Sequence, residues 1–217
     1  MIELRNVTYH VKDETGEKDV LDNVSVKLDG RFVALTGPNG GGKSTLAKVI
    51  AGIIRPTFGR VFWDGEDITD LSVTERAKKG ISYAFQQPVR FKGLTVKDLL
   101  SIAAGKKATI LARGTRLSLF DEPEAGIDLW SFSSLINVFE NMREKTQGDI
   151  IIISHQERIL NVADSIVVLA NGKIRKCGTR DEILPEILGS GATCETLKNK
   201  LSPAGVCTGK AAARKKA

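Results

Sequence analysis

Gly37-Pro38-Asn39-Gly40-Gly41-Gly42-Lys43-Ser44 is the stretch on which the reading of this chain turns. It fits the spacing G-x-x-x-x-G-K-[ST] at every position. An apolar run, Phe32-Val33-Ala34-Leu35, comes before it, and a helical pattern with Leu46, Val49, Ile50 and Ile53 comes after. Strand, glycine-rich loop, helix is the setting in which such a loop wraps a polyphosphate. Glycines let successive backbone N–H groups turn inward with no Cβ in the way. The helix opening near Lys43 adds its positive N-terminal end. Lys43 puts a point charge on the outer phosphates, and the Ser44 hydroxyl is a hard oxygen ligand for Mg²⁺. Thr45 is placed for a further phosphate contact. Residues 37–45 are thus the expected cradle of a nucleoside triphosphate, with Mg²⁺ as its companion ion.

A second stretch supplies acids. Leu117-Ser118-Leu119-Phe120-Asp121-Glu122 is an apolar strand ending in two carboxylates. Ligands of parallel sheets sit at the carboxyl ends of strands, so these acids are expected beside the phosphate loop. Asp121 is suited to hold Mg²⁺ through its water shell. Glu122 is then free to act on an attacking water as general base or orienting group.

The rest of the chain alternates. Residues 1–36 read as β structure, with Asp29-Gly30 as a hairpin signal between Val20–Leu28 and Phe32–Leu35. This predicts an N-terminal antiparallel lobe. After residue 36, strands at Gly59–Trp63, Ile81–Phe85, Leu117–Phe120 and Ile150–Ile153 interleave with helices. Ser72-Val-Thr-Glu75 is a capping box, Leu129–Met142 carries Phe132, Leu135, Ile136 and Phe139 on one face, and Thr179-Arg-Asp-Glu182 opens a further helix. Val167–Leu169, Asn171-Gly172 and Lys173-Ile174 read as a hairpin. The pattern predicts an α/β fold of the P-loop NTPase, RecA-like kind, with a mainly parallel sheet. A single domain is expected: a β lobe over 1–36, the core over 37–200, and a flexible basic tail over 201–217.

Composition narrows the class. The chain has 217 residues, is 41% hydrophobic, and carries a net charge of +6. No apolar run is long enough to cross a bilayer, and the N-terminus shows no leader pattern, so a cytoplasmic protein without direct membrane insertion is expected. The basic tail has no interleaved aromatic residues, which argues against nucleic acid as a partner. The three cysteines, Cys177, Cys194 and Cys207, are far apart and odd in number. They are expected to be ordinary thiols, with neither a disulfide framework nor a zinc site.

With these motifs in place the sequence resembles the ABC ATPase family. Phe85-Gln86-Gln87-Pro88 is similar to its Q-loop, Asp121-Glu122-Pro123 and Ala125-Gly126-Ile127-Asp128 to its Walker B and D-loop, and Ile151-Ile152-Ile153-Ser154-His155 to its switch-histidine segment. The resemblance implies ATP hydrolysis. It makes Gln86 a further Mg²⁺ and water contact, and His155 a donor to the γ-phosphate. It also implies a transient ATP-dependent homodimer. Within the family, Phe85-Gln-Gln-Pro-Val89 and Asp121-Glu-Pro-Glu-Ala-Gly-Ile-Asp128-Leu-Trp130 look like SufC, the ATPase of iron–sulfur cluster assembly. That implies a SufB- or SufD-like scaffold as partner. Two other readings stand beside it: the nucleotide-binding subunit of a membrane transporter, and a regulatory module that hydrolyses little.

Two family features are missing. Between Gln86 and Asp121 there is no Leu-Ser-Gly-Gly signature, and the segment is too short for the family's helical subdomain. Either a stretch is absent near residues 104–108, or the chain is a minimal variant. The likeness of Ile110–Thr115 to the end of the helix that follows the signature favours the first. The adenine-stacking aromatic should lie near Val11, where Tyr9 is the nearest candidate. His10 reads as a surface residue.

Overall fold

Phe32–Thr36 is buried at all five positions, which only a strand covered on both faces achieves. The computed structural model describes residues 1–13, 16–84, 115–125, 135–141 and 148–189. Its elements run β1 (Ile2–Asp13), β2 (Gly16–Leu28), β3 (Phe32–Thr36), α1 (Lys43–Ala51), β4 (Phe58–Trp63), β5 (Glu66–Asp67), α2 (Val73–Lys79), β6 (Ile81–Ala84), β7 (Leu117–Asp121), β8 (Asp149–Ile153), α3 (Glu157–Val162), β9 (Ser165–Ala170), β10 (Lys173–Thr179) and α4 (Arg180–Gly189). Residues 135–141 are also helical.

Two sheets carry the fold. One has six strands in the order β10-β9-β3-β8-β7-β6, and the other has four in the order β2-β1-β4-β5. In the first, β9, β3, β8, β7 and β6 run parallel, and β10 returns antiparallel on the edge. This is the expected α/β architecture. The second sheet is antiparallel throughout.

Alternation along the central strands separates two apolar layers. Val33, Leu35, Leu117, Leu119, Ile151, Ile153, Val167 and Leu169 face α1 and the four-stranded sheet. Phe32, Ala34, Ile150, Ile152, Ile166 and Val168 face the other way, onto Phe139, Ile159, Leu160, Ile183 and Leu184. Leu135 and Ile136 pack beside Phe139, so the described part of the expected 129–142 helix buries the face its periodicity assigns.

The pairing of the first strands differs from the sequence reading. β1 and β2 form a hairpin, but β3 does not pair with β2; it lies between β9 and β8. Asp29-Gly30 is therefore a crossover between sheets. Phe32 N–H donates to the Asp164 carboxylate (2.9 Å) and Ser165 Oγ to the Asp29 carbonyl (3.2 Å), so the link is held from the β9 side. A lobe strand would have one polar face, and β3 has none. β4 and β5, from the middle of the chain, complete the antiparallel sheet instead.

Local signals fared better. The capping box forms at α2, where Ser72 Oγ accepts from Glu75 N–H and the Glu75 carboxylate accepts from Ser72 N–H. Asn171 and Gly172 both have positive φ in the tight β9–β10 turn. Thr179 N–H donates to the Glu182 carboxylate at the start of α4.

Arg76 of α2 is 1% exposed. Its guanidinium donates to the carbonyls of Val49 and Ile50 at 2.7 Å each, capping the end of α1. Cys177 is disulfide-bonded, which corrects the expectation of free thiols. Separation along the chain does not bound separation in space, so spacing alone could not reveal a bond. Residues 85–114, which include the segment around 104–108, and the tail from 190 onward lie outside the described residues.

Candidate active site

Strand register assembles the site. Leu35 of β3 pairs with Ile153 of β8, and Ile153 pairs with Asp121 of β7. The three strands thus reach one row together, and the chain leaves the sheet just beyond it at the phosphate loop, at Ser154 and at Glu122. Asp121 shares its sheet face with Leu117 and Leu119, the face packed by α1. That alternation aims its carboxylate at the first turn of α1.

The loop itself is built without a side-chain cap. Gly42, at φ 101°, is the N-cap of α1 and offers no side-chain acceptor, which leaves the first amides of the helix for an anion. Gly37 has φ 135°, and a Cβ there would lie 1.9 Å from the Leu169 carbonyl oxygen, so no other residue fits. Gly41 N–H donates to the Pro38 carbonyl at 3.1 Å and closes the loop into a turn. Gly172 N–H donates to the Gly41 carbonyl (3.1 Å), and Asp22 N–H to the Gly172 carbonyl (2.9 Å), so the β9–β10 turn and β2 buttress the loop from behind.

Lys43 is buried at 5% exposure and donates to the carbonyls of Gly37 (2.8 Å) and Pro38 (3.0 Å). Its charge is thereby parked on the loop it opens. Ser44 Oγ donates to Asp121 Oδ1 at 2.9 Å, joining the phosphate loop to the end of β7. Tyr83 OH donates to Asp121 Oδ2 at 2.7 Å. Burial and the neighbouring Asp121 charge push the Tyr83 phenol well above its ordinary range, so it stays a donor. The Ser44 hydroxyl and the Asp121 carboxylate are hard oxygens in contact, a donor pair that fits Mg²⁺ with its remaining positions left to water and phosphate. That ion would neutralise charge on the phosphates when bound.

Beyond the strand row, His155 Nε2 lies 3.3 Å from Glu122 Oε1. Burial and then the Lys43 charge pull the His155 pKa down, with Glu122 pulling the other way. Glu122 has φ 45° and donates its N–H to the Ile153 carbonyl at 3.0 Å. Ser154 is fully buried; its Oγ donates to Glu124 Oε1 and accepts from Gln156 N–H at 3.0 Å. Burial raises the Glu124 pKa, and the Ser154 bond offsets part of that.

Residues 37–45, Asp121, Glu122 and His155 thus fall at one end of one sheet. Gln86 lies outside the described residues, although β6 leads towards it in register with β7. Tyr9 sits inside β1 opposite Leu21 and packs on the main core, a poor place from which to stack on a base. His10 is exposed, edge-on to Phe58 and paired with Asp19. Sequence reasoning missed Tyr83 and Glu124. A tyrosine one residue before the end of a parallel strand, and a third acid just after Asp121-Glu122, were the available signals. Among the described residues no helix is long and apolar enough to cross a membrane.

Comparison with known proteins agrees with this geometry. Residues 21–126 match the family described as ABC transporter. An uncharacterized ABC transporter ATP-binding protein of Methanocaldococcus jannaschii is 29% identical over 216 aligned positions, spanning 77% of this chain and 86% of that protein. Those 216 positions draw on only 77% of this chain, so the relative carries residues with no counterpart here. The energy-coupling factor transporter ATP-binding protein EcfA2 of Clostridium acetobutylicum is 28% identical, spanning 86% of this chain and 82% of its own. In fold, the chain is similar to the ADP conformation of an ATP-binding cassette of an ABC transporter, with TM-score 0.74, 24% identity, and coverage of 92% of this chain and 99% of that one.

Proposed function

We propose that the chain is an ATPase of the ABC transporter kind, the nucleotide-binding, ATP-hydrolysing subunit of a membrane transporter that works with a membrane component; the match of residues 21–126 to the ABC transporter family supports this. The observation that carries the catalytic half is the contact of Ser44 with Asp121 at 2.9 Å, beside a Glu122–His155 pair at 3.3 Å. It supports one phosphate site with distinct tasks on its rim. Lys43 and the amides of residues 37–45 bind the triphosphate. Ser44 and Asp121, with Gln86, would hold Mg²⁺. Glu122 takes or orients the proton of the attacking water, and His155 steadies charge that grows on the γ-phosphate. EcfA2 is by name the ATP-binding protein of an energy-coupling factor transporter, which supports the assignment of an energising subunit.

A second reading keeps the same chemistry and changes the partner. The stretch Asp121-Glu-Pro-Glu-Ala-Gly-Ile-Asp128 resembles SufC, and Glu124 within it is tied to Ser154, so the acid that marks that resemblance is built into the site. Under this reading the partner is a soluble SufB- or SufD-like scaffold.

Three experiments test these readings. Glu122→Gln should keep ATP binding and lower turnover by about 10²–10⁴, the usual worth of a general base. Equal near-background rates for wild type and variant would defeat the enzyme reading and leave a regulatory module that hydrolyses little. Purification with native partners separates the first two readings: a membrane protein supports the transporter subunit, and a soluble scaffold supports the second. ATP-driven pairing of two copies is part of the proposal and is read by sizing the Glu122→Gln protein with and without ATP.

A further inference from the structure

We infer that Glu124 is a positioning residue for hydrolysis: its bond to Ser154 pins the turn after β7 to the end of β8 and so fixes Glu122 against His155. The inference rests on the ATPase reading above and deepens it. It starts from Glu122, which holds φ 45°. A residue with a Cβ keeps such a backbone only where its surroundings over-determine it. Two ties do so here. Glu122 N–H donates to the Ile153 carbonyl at 3.0 Å, directly across the strand row. Two residues on, Glu124 Oε1 accepts from Ser154 Oγ. Ala125 N–H closes the turn by donating to the Glu122 carbonyl at 3.0 Å.

The same hydroxyl governs the other partner. Ser154 Oγ also accepts from Gln156 N–H at 3.0 Å, so the backbone on either side of His155 is held by one atom. Glu122 and His155 thus hang from the two ends of the Glu124–Ser154 bond, and their side chains meet at 3.3 Å. Ser154 is fully buried, and Glu124 is half-buried, its carboxylate taking the Ser154 hydroxyl and lying beside the backbone N–H groups of Glu124 and His155. Taking a carboxylate partly out of water carries a desolvation cost. Its placement makes sense as a device that holds geometry. What Glu124 contributes is an acceptor oxygen at one place, so an amide should replace it and a methyl should not.

The test combines turnover, nucleotide affinity and the histidine ring resonances in Glu124→Ala, Ser154→Ala, their double variant and Glu124→Gln. The chain has two histidines, and His10 is exposed and serves as the internal reference. Both single alanine variants should lose about 10- to 100-fold in kcat, the usual cost of a misplaced catalytic pair, with ATP affinity unchanged. The double variant should lose no more than Ser154→Ala alone, which already breaks the Glu124–Ser154 bond together with the Gln156 one. Glu124→Gln should retain the wild-type rate. The His155 resonances should move in both alanine variants and stay put in Glu124→Gln, with those of His10 fixed throughout. Wild-type turnover with a Glu124→Ala rate within about twofold of it would overturn the inference and leave the ATPase reading intact, as would multiplicative losses in the double variant. Were wild type itself inactive, that reading would fall, and the His155 resonances alone would decide: no movement in Glu124→Ala refutes the positioning role. A role in folding alone would instead appear as lowered melting temperature and weakened ATP affinity in step with turnover.

Discussion

Removing the ammonium of Lys43 should cost a definite amount of nucleotide affinity, and the structure bounds it from both sides. An ammonium about 4 Å from one phosphate charge, at an effective dielectric of about 20, is attracted by about 4 kcal/mol. Lys43 does not start free, however. It donates to the carbonyls of Gly37 at 2.8 Å and Pro38 at 3.0 Å, and reaching a phosphate exchanges these bonds. At about 1 kcal/mol net for each of the two bonds lost, the difference is about 2 kcal/mol. Lys43→Ala should therefore weaken ATP binding by about 30-fold. Calorimetric titration with ATP and Mg²⁺ measures it directly. Because the variant leaves two buried carbonyls without their donor, a melting curve must first show a folded protein. A folded Lys43→Ala protein whose Kd stays within about threefold of wild type would refute the assignment of this ammonium to phosphate.

Other expectations follow from neighbouring contacts. Tyr83→Phe removes the phenolic donor to Asp121 Oδ2 and should raise severalfold the Mg²⁺ concentration needed for half-maximal nucleotide binding, read by titrating Mg²⁺ at fixed ATP; an unchanged midpoint counts against Tyr83 as the group that orients Asp121. His155 has a folded pKa below its unfolded value of about 6.5, so the unfolded chain binds the extra proton first. Its contribution to stability is therefore whole above that pH and is lost as pH falls from there through the depressed folded value. Denaturant melts across pH 5 to 8 should show this slope in wild type and a shallower one in His155→Gln. Arg76→Leu removes the donors that cap α1 and should cost about 2–4 kcal/mol in urea unfolding while sparing kcat in the folded fraction.

Much of this protein was legible in one dimension because its signals are local. A loop that must turn its amides onto phosphate needs glycines at set intervals, and Gly37 to Ser44 carries that need in eight residues. Capping at Ser72–Glu75 and the turn at Asn171-Gly172 are likewise settled within a few residues, as is the apolar run of β8. The acids at the end of β7 were placed from a general property of parallel sheets, which holds whatever the strand order.

What the sequence left open depends on partners distant along the chain. Burial of β3 on both faces, and hence its place between β9 and β8, follows from the packing of two sheets and several helices, so the turn-like Asp29-Gly30 misled. The Arg76 cap on α1 and the Tyr83–Asp121 bond each join residues whose spacing carries no pattern. Glu124 was visible as a letter in a motif, but its bond to Ser154 exists only because register sets the ends of β7 and β8 side by side. Local chemistry chose which groups this chain carries; strand register and two-sided burial decided which of them meet.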